Sequence, residues 1–242
     1  MSLVSFNNYA TAAENVALHD TEKAGRYAFQ ADAERRILSE LLNKLDLQPT
    51  DQLLEIGCGP GNLIIPLAHF VARAVGIDNQ AAIDRLHARA PTAANLQGIA
   101  GDFLTLQLPT GHFDKILIYS VLHYLSSAEE ALLLIDRALS LLAPGGRLLL
   151  GDLPNQDLKR RFGTSGVGQR TAQEWQKNLA VHGSHAFAPL PVDPLLIAID
   201  DKLILRLVRH IREKGYEAYM LPQDKRLPFG NTREDILVSA HS

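Results

Sequence analysis

Leu53-Leu54-Glu55-Ile56-Gly57-Cys58-Gly59-Pro60-Gly61-Asn62 limits the fold of this chain more than any other segment. A short apolar run stops at three alternating glycines, and a helical pattern follows. That order predicts a buried strand, a tight turn and a helix. Glycine has no Cβ, so the backbone can bend sharply and a ligand can approach it closely. The amides of such a turn, with the helix N-terminus behind them, offer donors to polar or anionic ligand atoms. The spacing departs from the dinucleotide fingerprint G-x-G-x-x-G, because Gly61 follows Gly59 and position 62 is Asn62. No Lys-Ser/Thr pair follows, so it is not a Walker loop.

Strands and helices alternate on both sides of the turn. Ala31 to Leu47 carries Ile37, Leu38, Leu41, Leu42 and Leu45 at spacings of three and four, the stripe of an amphipathic helix. Further strands are expected at 72–77, 96–100, 114–119 and 147–151. Helices are expected at 62–70, at 79–90 and after the capping box that opens at Ser126. Residues 153–200 break the rhythm with glycines and prolines and read as an insertion, partly helical around 171–181. A helix over 202–214 restores it. Two final strands, 217–221 and 235–240, lie too close for a helical crossover and are expected to run antiparallel. Residues 1–30 show no period and read as an N-terminal cap segment. Residues 31–242 form the domain, with 153–200 as a lid within it.

The chain has 242 residues, the size of one α/β domain with insertions. Lys and Arg total 24 against 27 Asp and Glu, for a net charge of −3. Phosphate-backbone binding leaves a basic excess that is missing here, so no nucleic-acid partner is expected. Cys58 is the single cysteine. It precludes an internal disulfide and a Cys-based zinc site, and it suits a reducing compartment. No apolar run reaches the roughly 18 residues of a membrane span. A cytoplasmic protein with no membrane partner is expected, of undetermined oligomeric state.

Glu55 to Asn62, with Asp78 ending the next strand, resembles motif I of the class I S-adenosylmethionine-dependent methyltransferases. Gly101-Asp102-Phe103 after the third strand, Phe113-Asp114 opening the fourth, Ser120 to Tyr124 beyond it, and Leu142 to Gly146 before the fifth extend the resemblance over about residues 51–152. The closing hairpin resembles the family as well. The first 30 residues and the insertion do not. The resemblance implies a doubly wound, mostly parallel seven-stranded α/β sheet of order 3-2-1-4-5-7-6 with the last strand antiparallel. It implies S-adenosylmethionine as cofactor and S-adenosylhomocysteine as product.

The same resemblance assigns residues. Asp78 would take both ribose hydroxyls, beside Asn79. Asp102 and Phe103 would hold adenine. Glu55 would act on the methionine moiety, Gly57, Cys58, Gly59 and Gly61 would form the cradle, and Tyr119 and Ser120 would border it. Each has a plainer reading: Asp78 as a helix cap, Asp102 as a turn residue, Glu55 as a structural carboxylate. His123 is the one side chain directly after the fourth strand able to act as a base near pH 7. It is the catalytic candidate, although packing is the simpler role for a lone histidine. Tyr9, Tyr27, Tyr124 and Asp152 are candidate substrate contacts. Lys159-Arg160-Arg161 would suit an anionic substrate or a solvated loop. Trp175, His182, His185 and Phe187 would line a lid.

Absences narrow the chemistry. No Asn/Asp-Pro-Pro-aromatic follows the fourth strand, so exocyclic amine methylation of DNA bases is disfavoured. No second cysteine is present for thiolate-assisted methylation of pyrimidine carbon. The strand ends in Tyr-Ser, not Asp, so no metal site is expected. The expected function is methyl transfer to oxygen or nitrogen of a small molecule. Its rivals are methylation of a protein side chain and a non-catalytic relative that binds the cofactor.

Overall fold

The computed structural model describes residues 15, 18, 20–23, 25–182 and 196–242. Tyr9, His19, His185 and Phe187 fall outside the described residues, as does the side chain of His182.

Seven strands form one sheet: β1 (Gln52–Ile56), β2 (Arg73–Asp78), β3 (Leu96–Ala100), β4 (Phe113–Tyr119), β5 (Leu142–Pro154), β6 (Glu217–Pro222) and β7 (Arg233–Ser239). The order is β3-β2-β1-β4-β5-β7-β6. Strands β1 to β5 pair in parallel, and β7 runs antiparallel between β5 and β6. Alternation along each central strand feeds two cores, as the period of two requires. Leu54, Ile56, Ile116, Ile118, Leu148 and Leu150 face helices α4 (Ala128–Leu141) and α7 (Asp201–Glu213). Leu53, Leu117 and Leu149 face α1 (Ala31–Leu45), α2 (Ile64–Leu67) and α3 (Gln80–Arg89). The expected doubly wound sheet is observed.

The differences from expectation have local causes. Helix α1 stops at Leu45 because Asp46 turns left-handed at φ 53° and its N–H closes on Leu42 O. The helix after β1 is only one turn, continued as a 3₁₀ turn over Ala68–Phe70. β5 is longer than expected at both ends. Its Pro144-Gly145-Gly146 turn loops out between the pairs Phe113–Leu142 and Lys115–Arg147. The insertion holds two helices, α5 (Gln156–Gly163) and α6 (Gly166–His182). Asn155 starts α5 by accepting from Asp157 N and Leu158 N. Gly168 reads as a loop residue but marks a close crossing: a Cβ there would lie 1.9 Å from Phe162 O. Lys159-Arg160-Arg161 lies on α5, where Arg160 pairs with Asp157 and Arg161 with Asp201.

A buried polar knot joins α1 to the far side of the sheet. Gly151 and Asp152 stand opposite the single residue Asp235, a β-bulge that puts Asp152 at φ 60°. Asp235, 1% exposed, accepts from Asp152 N (2.9 Å), Gln223 Nε2 (2.9 Å) and Lys44 Nζ (2.6 Å). Asp235→Ala leaves the largely buried Lys44 ammonium without this carboxylate and the bulge without its acceptor. We expect a loss of about 3–5 kcal/mol, read as a lower denaturation midpoint at unchanged slope.

Candidate cofactor and acceptor site

The carboxyl ends of β1, β2 and β4 meet at the glycine loop. Gly57 N and Cys58 N both donate to Ile77 O, at 2.8 and 3.1 Å, and bend the loop toward β2. Gly59 N donates to Asp78 Oδ2 at 2.8 Å. Asp78 Oδ1 takes Asn79 N at 2.7 Å and Asn79 Nδ2 at 2.8 Å. Asn79 in turn caps α3 through Ala82 N. Thus Asn79, not Asp78, is the helix cap, and Asp78 fastens the loop. Gly57 and Gly59 have φ of 77° and 53°. A Cβ on Gly57 would lie 2.4 Å from Val121 Cγ2, whereas one on Gly59 would meet nothing within 4 Å.

Two cavities open on either side of this loop and share Gly57, Asp78 and Val121 in their walls. The second is lined by Asp102, Phe103, Leu104, Leu125 and Leu134, an apolar slot with Asp102 as its own carboxylate beside the shared Asp78. Asp102 Oδ1 accepts from Leu104 N. The first is lined by Glu55, Cys58, Gly59, Asn79, Tyr119, Ser120 and Tyr124, together with Lys23 and Arg26. The structure therefore brings together all the expected cofactor residues except Gly61. A Cβ on Gly61 would lie 2.7 Å from Ile65 Cδ1, so this glycine serves loop-to-helix packing.

Arg26 and Lys23 are the residues that sequence reading missed. Arg26 is 5% exposed. Its Nη2 donates to Ser120 Oγ at 3.0 Å, its Nη1 to Glu34 Oε1 at 3.4 Å, and its guanidinium lies 5.8 Å from the Tyr119 ring centre. No local pattern marks it, because these partners lie elsewhere in the chain. Lys23 and Arg26 of the N-terminal segment are thus part of the first cavity's wall.

Other expected residues take different places. Asp152 lies behind the cavity wall. It accepts from Ser120 Oγ and stands between Arg26 (3.8 Å) and Arg233 (3.7 Å). Tyr27 joins a cluster of rings described below. His123 is outside the lining of both cavities; its ring packs on Tyr124, centres 4.1 Å apart, and its buried Nδ1 has no partner. Burial first, then the charges of Arg233 and Arg26, hold its pKa well below the ordinary 6.5. The same causes favour the neutral imidazole over the charged one. Among the described residues, no three His, Cys, Asp or Glu side chains are placed to hold a metal.

Burial dominates the acids. Glu55 is 2% exposed, and desolvation, then the Asp78 charge, push its pKa well up despite the Ile64 N–H and Arg26. Its Oε2 is buried with no partner. Asp78 is also pushed up by burial, opposed by the Asn79 and Gly59 hydrogen bonds. The Cys58 thiol is raised by burial and by Asp78 and Glu55, so it stays protonated and inert.

The strand order and a split cavity beside a glycine loop define a Rossmann-like methyltransferase fold. Residues 53–146 match the family model described as a methyltransferase domain. This match and the strand order support a class I S-adenosylmethionine-dependent methyltransferase domain, a class whose cofactor is S-adenosylmethionine. It is 34% identical over 125 residues to an uncharacterized 37.1 kDa transposon protein of Streptomyces fradiae, covering 50% of this chain and 35% of that one. It is 36% identical over 123 residues to the 23S rRNA (uracil(1939)-C(5))-methyltransferase RlmD of Bordetella pertussis, 47% of this chain and 24% of that one. Nodulation protein S of Sinorhizobium fredii is 28% identical over 163 residues, 66% and 72% of the two chains. The chain thus spans about a third or less of the first two relatives. Among solved structures, phosphoethanolamine N-methyltransferase 1 of Haemonchus contortus superposes with a TM-score of 0.72 at 16% identity, covering 98% of this chain and 49% of that one. The N-methyltransferase NodS of Bradyrhizobium japonicum, in complex with S-adenosylhomocysteine, gives 0.63 at 18%, covering 98% and 99%. An RNA methyltransferase among the relatives leaves the expected absence of nucleic acid without support. No helix of the described residues is long and apolar enough to cross a membrane.

The raised Glu55 pKa has a stability consequence. The folded chain keeps a proton that the unfolded chain releases near the ordinary 4.5. The penalty is absent below that pH and grows as pH rises toward the folded value. Glu55→Gln removes it, so the Tm of this variant relative to the unmutated protein rises between about pH 5 and pH 8. A pH-independent difference in thermal melts would show that Glu55 is ionised throughout.

Proposed function

We propose that the protein transfers the methyl group of S-adenosylmethionine to a nitrogen or oxygen of a small-molecule acceptor. One observation carries this reading: the paired cavities that meet at Gly57, Asp78 and Val121. One offers an apolar slot with a carboxylate. The other offers a buried cation, Arg26, and a buried acid, Glu55, whose Oε2 has no partner. Adenine and a zwitterionic amino acid require those two environments at the two ends of one ligand. Two structural neighbours are called N-methyltransferases, which favours nitrogen. A single buried cysteine suits work in the cytoplasm.

In this reading Phe103, Leu125 and Leu134 enclose the adenine and Asp102 accepts from its amine. Asp78 accepts from the ribose hydroxyls while holding the loop through Gly59. Arg26 pairs with the methionine carboxylate and Glu55 with its ammonium, which draws the acid into its ionised form. Tyr119 and Ser120 border the methyl group. The bound cofactor supplies a methyl already activated on a sulfonium. The protein's work is alignment and exclusion of water. The acceptor's lone pair forms the new bond to carbon, the carbon–sulfur pair returns to sulfur, and the acceptor's proton leaves to water. Tyr124 lines the cavity at this point, and His123 sets its position from behind.

Titration of S-adenosylhomocysteine into the purified protein tests the reading, and absence of binding sinks it. Asp78→Asn weakens the ribose and loop bonds and lowers affinity by about 10–150-fold, the equivalent of about 1.5–3 kcal/mol. An unchanged affinity in the folded variant removes Asp78 from the site. His123→Ala lowers kcat and spares cofactor affinity, and the kcat of the unmutated protein stays flat from about pH 6 to 8 where the imidazole is neutral. A titration in that range that vanishes in His123→Ala would instead make His123 the base.

A further inference from the structure

Four aromatic rings from three distant segments meet beyond the first cavity. Tyr27 and Phe29 stack at 5.3 Å. Trp175 of α6 meets Tyr27 edge-on at 5.3 Å and Phe29 at 5.1 Å. Phe229, from the loop between β6 and β7, meets Trp175 at 5.6 Å. All four are only partly buried. Phe229 is held at φ 61°, with its carbonyl accepting from Thr232 N and Oγ1. A bulky residue in that region is strained. Core packing on its own does not require such strain in a surface loop.

The cluster is wired to the cavity at both ends. Arg233 lies over Phe229, 5.1 Å from the ring centre, and reaches Asp152, which takes the Ser120 hydroxyl. At the other end Tyr27 follows Arg26, which also bonds Ser120. The contacts run from Ser120 through Asp152, Arg233, Phe229, Trp175 and Tyr27 back to Arg26. They join the rings to Ser120 and Arg26, the two members of the network that line the first cavity.

We propose that Tyr27, Trp175 and Phe229 form the wall on which the methyl acceptor stacks, and that the acceptor is a planar aromatic molecule, neutral or anionic. This rests on the methyl-transfer reading above. Aromatic stacking explains the choice of ring-bearing residues at three separate positions. Charge selects against a cation: Arg233 already covers the Phe229 face, and Arg26 flanks the other end of the cluster. A positively charged acceptor finds the Phe229 face already taken by a guanidinium, whereas a phenol, an aryl amine or an aryl carboxylate does not compete for it.

Trp175 is the chain's one tryptophan, so its emission reports on this wall without labelling. The test uses protein saturated with S-adenosylhomocysteine, titrated with phenol, aniline, 4-hydroxybenzoate, benzylamine, ethanolamine and glycine. We expect saturable quenching by the first three, at lower concentration than by benzylamine, and none by ethanolamine or glycine. Tritium from labelled S-adenosylmethionine follows the same preference. For the best of these acceptors, Trp175→Ala raises KM about tenfold, Trp175→Phe recovers most of it, and S-adenosylhomocysteine affinity holds in both. Quenching by none of the aromatic compounds overturns the proposal, as does methylation of ethanolamine in preference to them. Failure to bind S-adenosylhomocysteine strikes instead at the methyltransferase reading.

Discussion

A single buried guanidinium ties the site together. Arg26 reaches the end of β4 through Ser120, the start of α1 through Glu34, and the bulge of β5 through Asp152. Burying that charge is costly unless it is paired and hydrogen-bonded on several sides. Its position is therefore tightly defined, and it defines in turn where residues 20–30 lie against the sheet. The same cation faces Glu55 and lowers the energy of its ionised form, against the larger push from burial and Asp78. The loop thus gathers a buried arginine and a buried acid, Glu55, beside Asp78.

The sheet makes this arrangement available. Parallel strands end side by side, and their last residues stand at one edge where ligands of open α/β sheets collect. Loop closure here is achieved by hydrogen bonds at that edge. Asp78 accepts from Gly59 N, and Ile77 O accepts from two loop amides. Asp78 thus ties the loop to the scaffold, and its pKa reflects opposed effects: burial raises it, and the Asn79 and Gly59 donors restrain it.

Much of the fold was legible in the sequence where apolar period and glycine coincide. The strands Gln52–Ile56 and Leu96–Ala100 are found at their expected ends because each apolar run stops at a glycine. The residues that line the two cavities from those strand ends were legible as positions for the same reason. The insertion was less so, because Gly166 and Gly168 read as breakers although Gly168 serves the crossing of α5 and α6. Arg26 was invisible, since an isolated arginine in an aperiodic stretch carries no pattern, and its value lies in partners 8 and 94 residues away. His123 was legible as a position but not as an environment. Its low pKa comes from burial and from Arg233 and Arg26, which only the folded chain brings near.

Backbone strain follows the same edge. Ser120, Asp152 and Phe229 all adopt left-handed conformations, at φ 59°, 60° and 61°. Asp46 shares that conformation at a helix end, where it is an ordinary way to stop. The other three are not helix ends. Ser120 ends β4 and Asp152 sits in the bulge of β5, with its hydroxyl acceptor and its backbone donor both engaged. Phe229 lies one arginine away from them. Strain of this kind persists where the surrounding structure over-determines it, and it concentrates where side chains must be aimed. Here the over-determination is visible: Asp235 and Lys44 fix the bulge from below, and Arg26 fixes Ser120 from above. The stability of the polar knot beneath the sheet is thereby converted into the orientation of the groups around the mouth of the cavity.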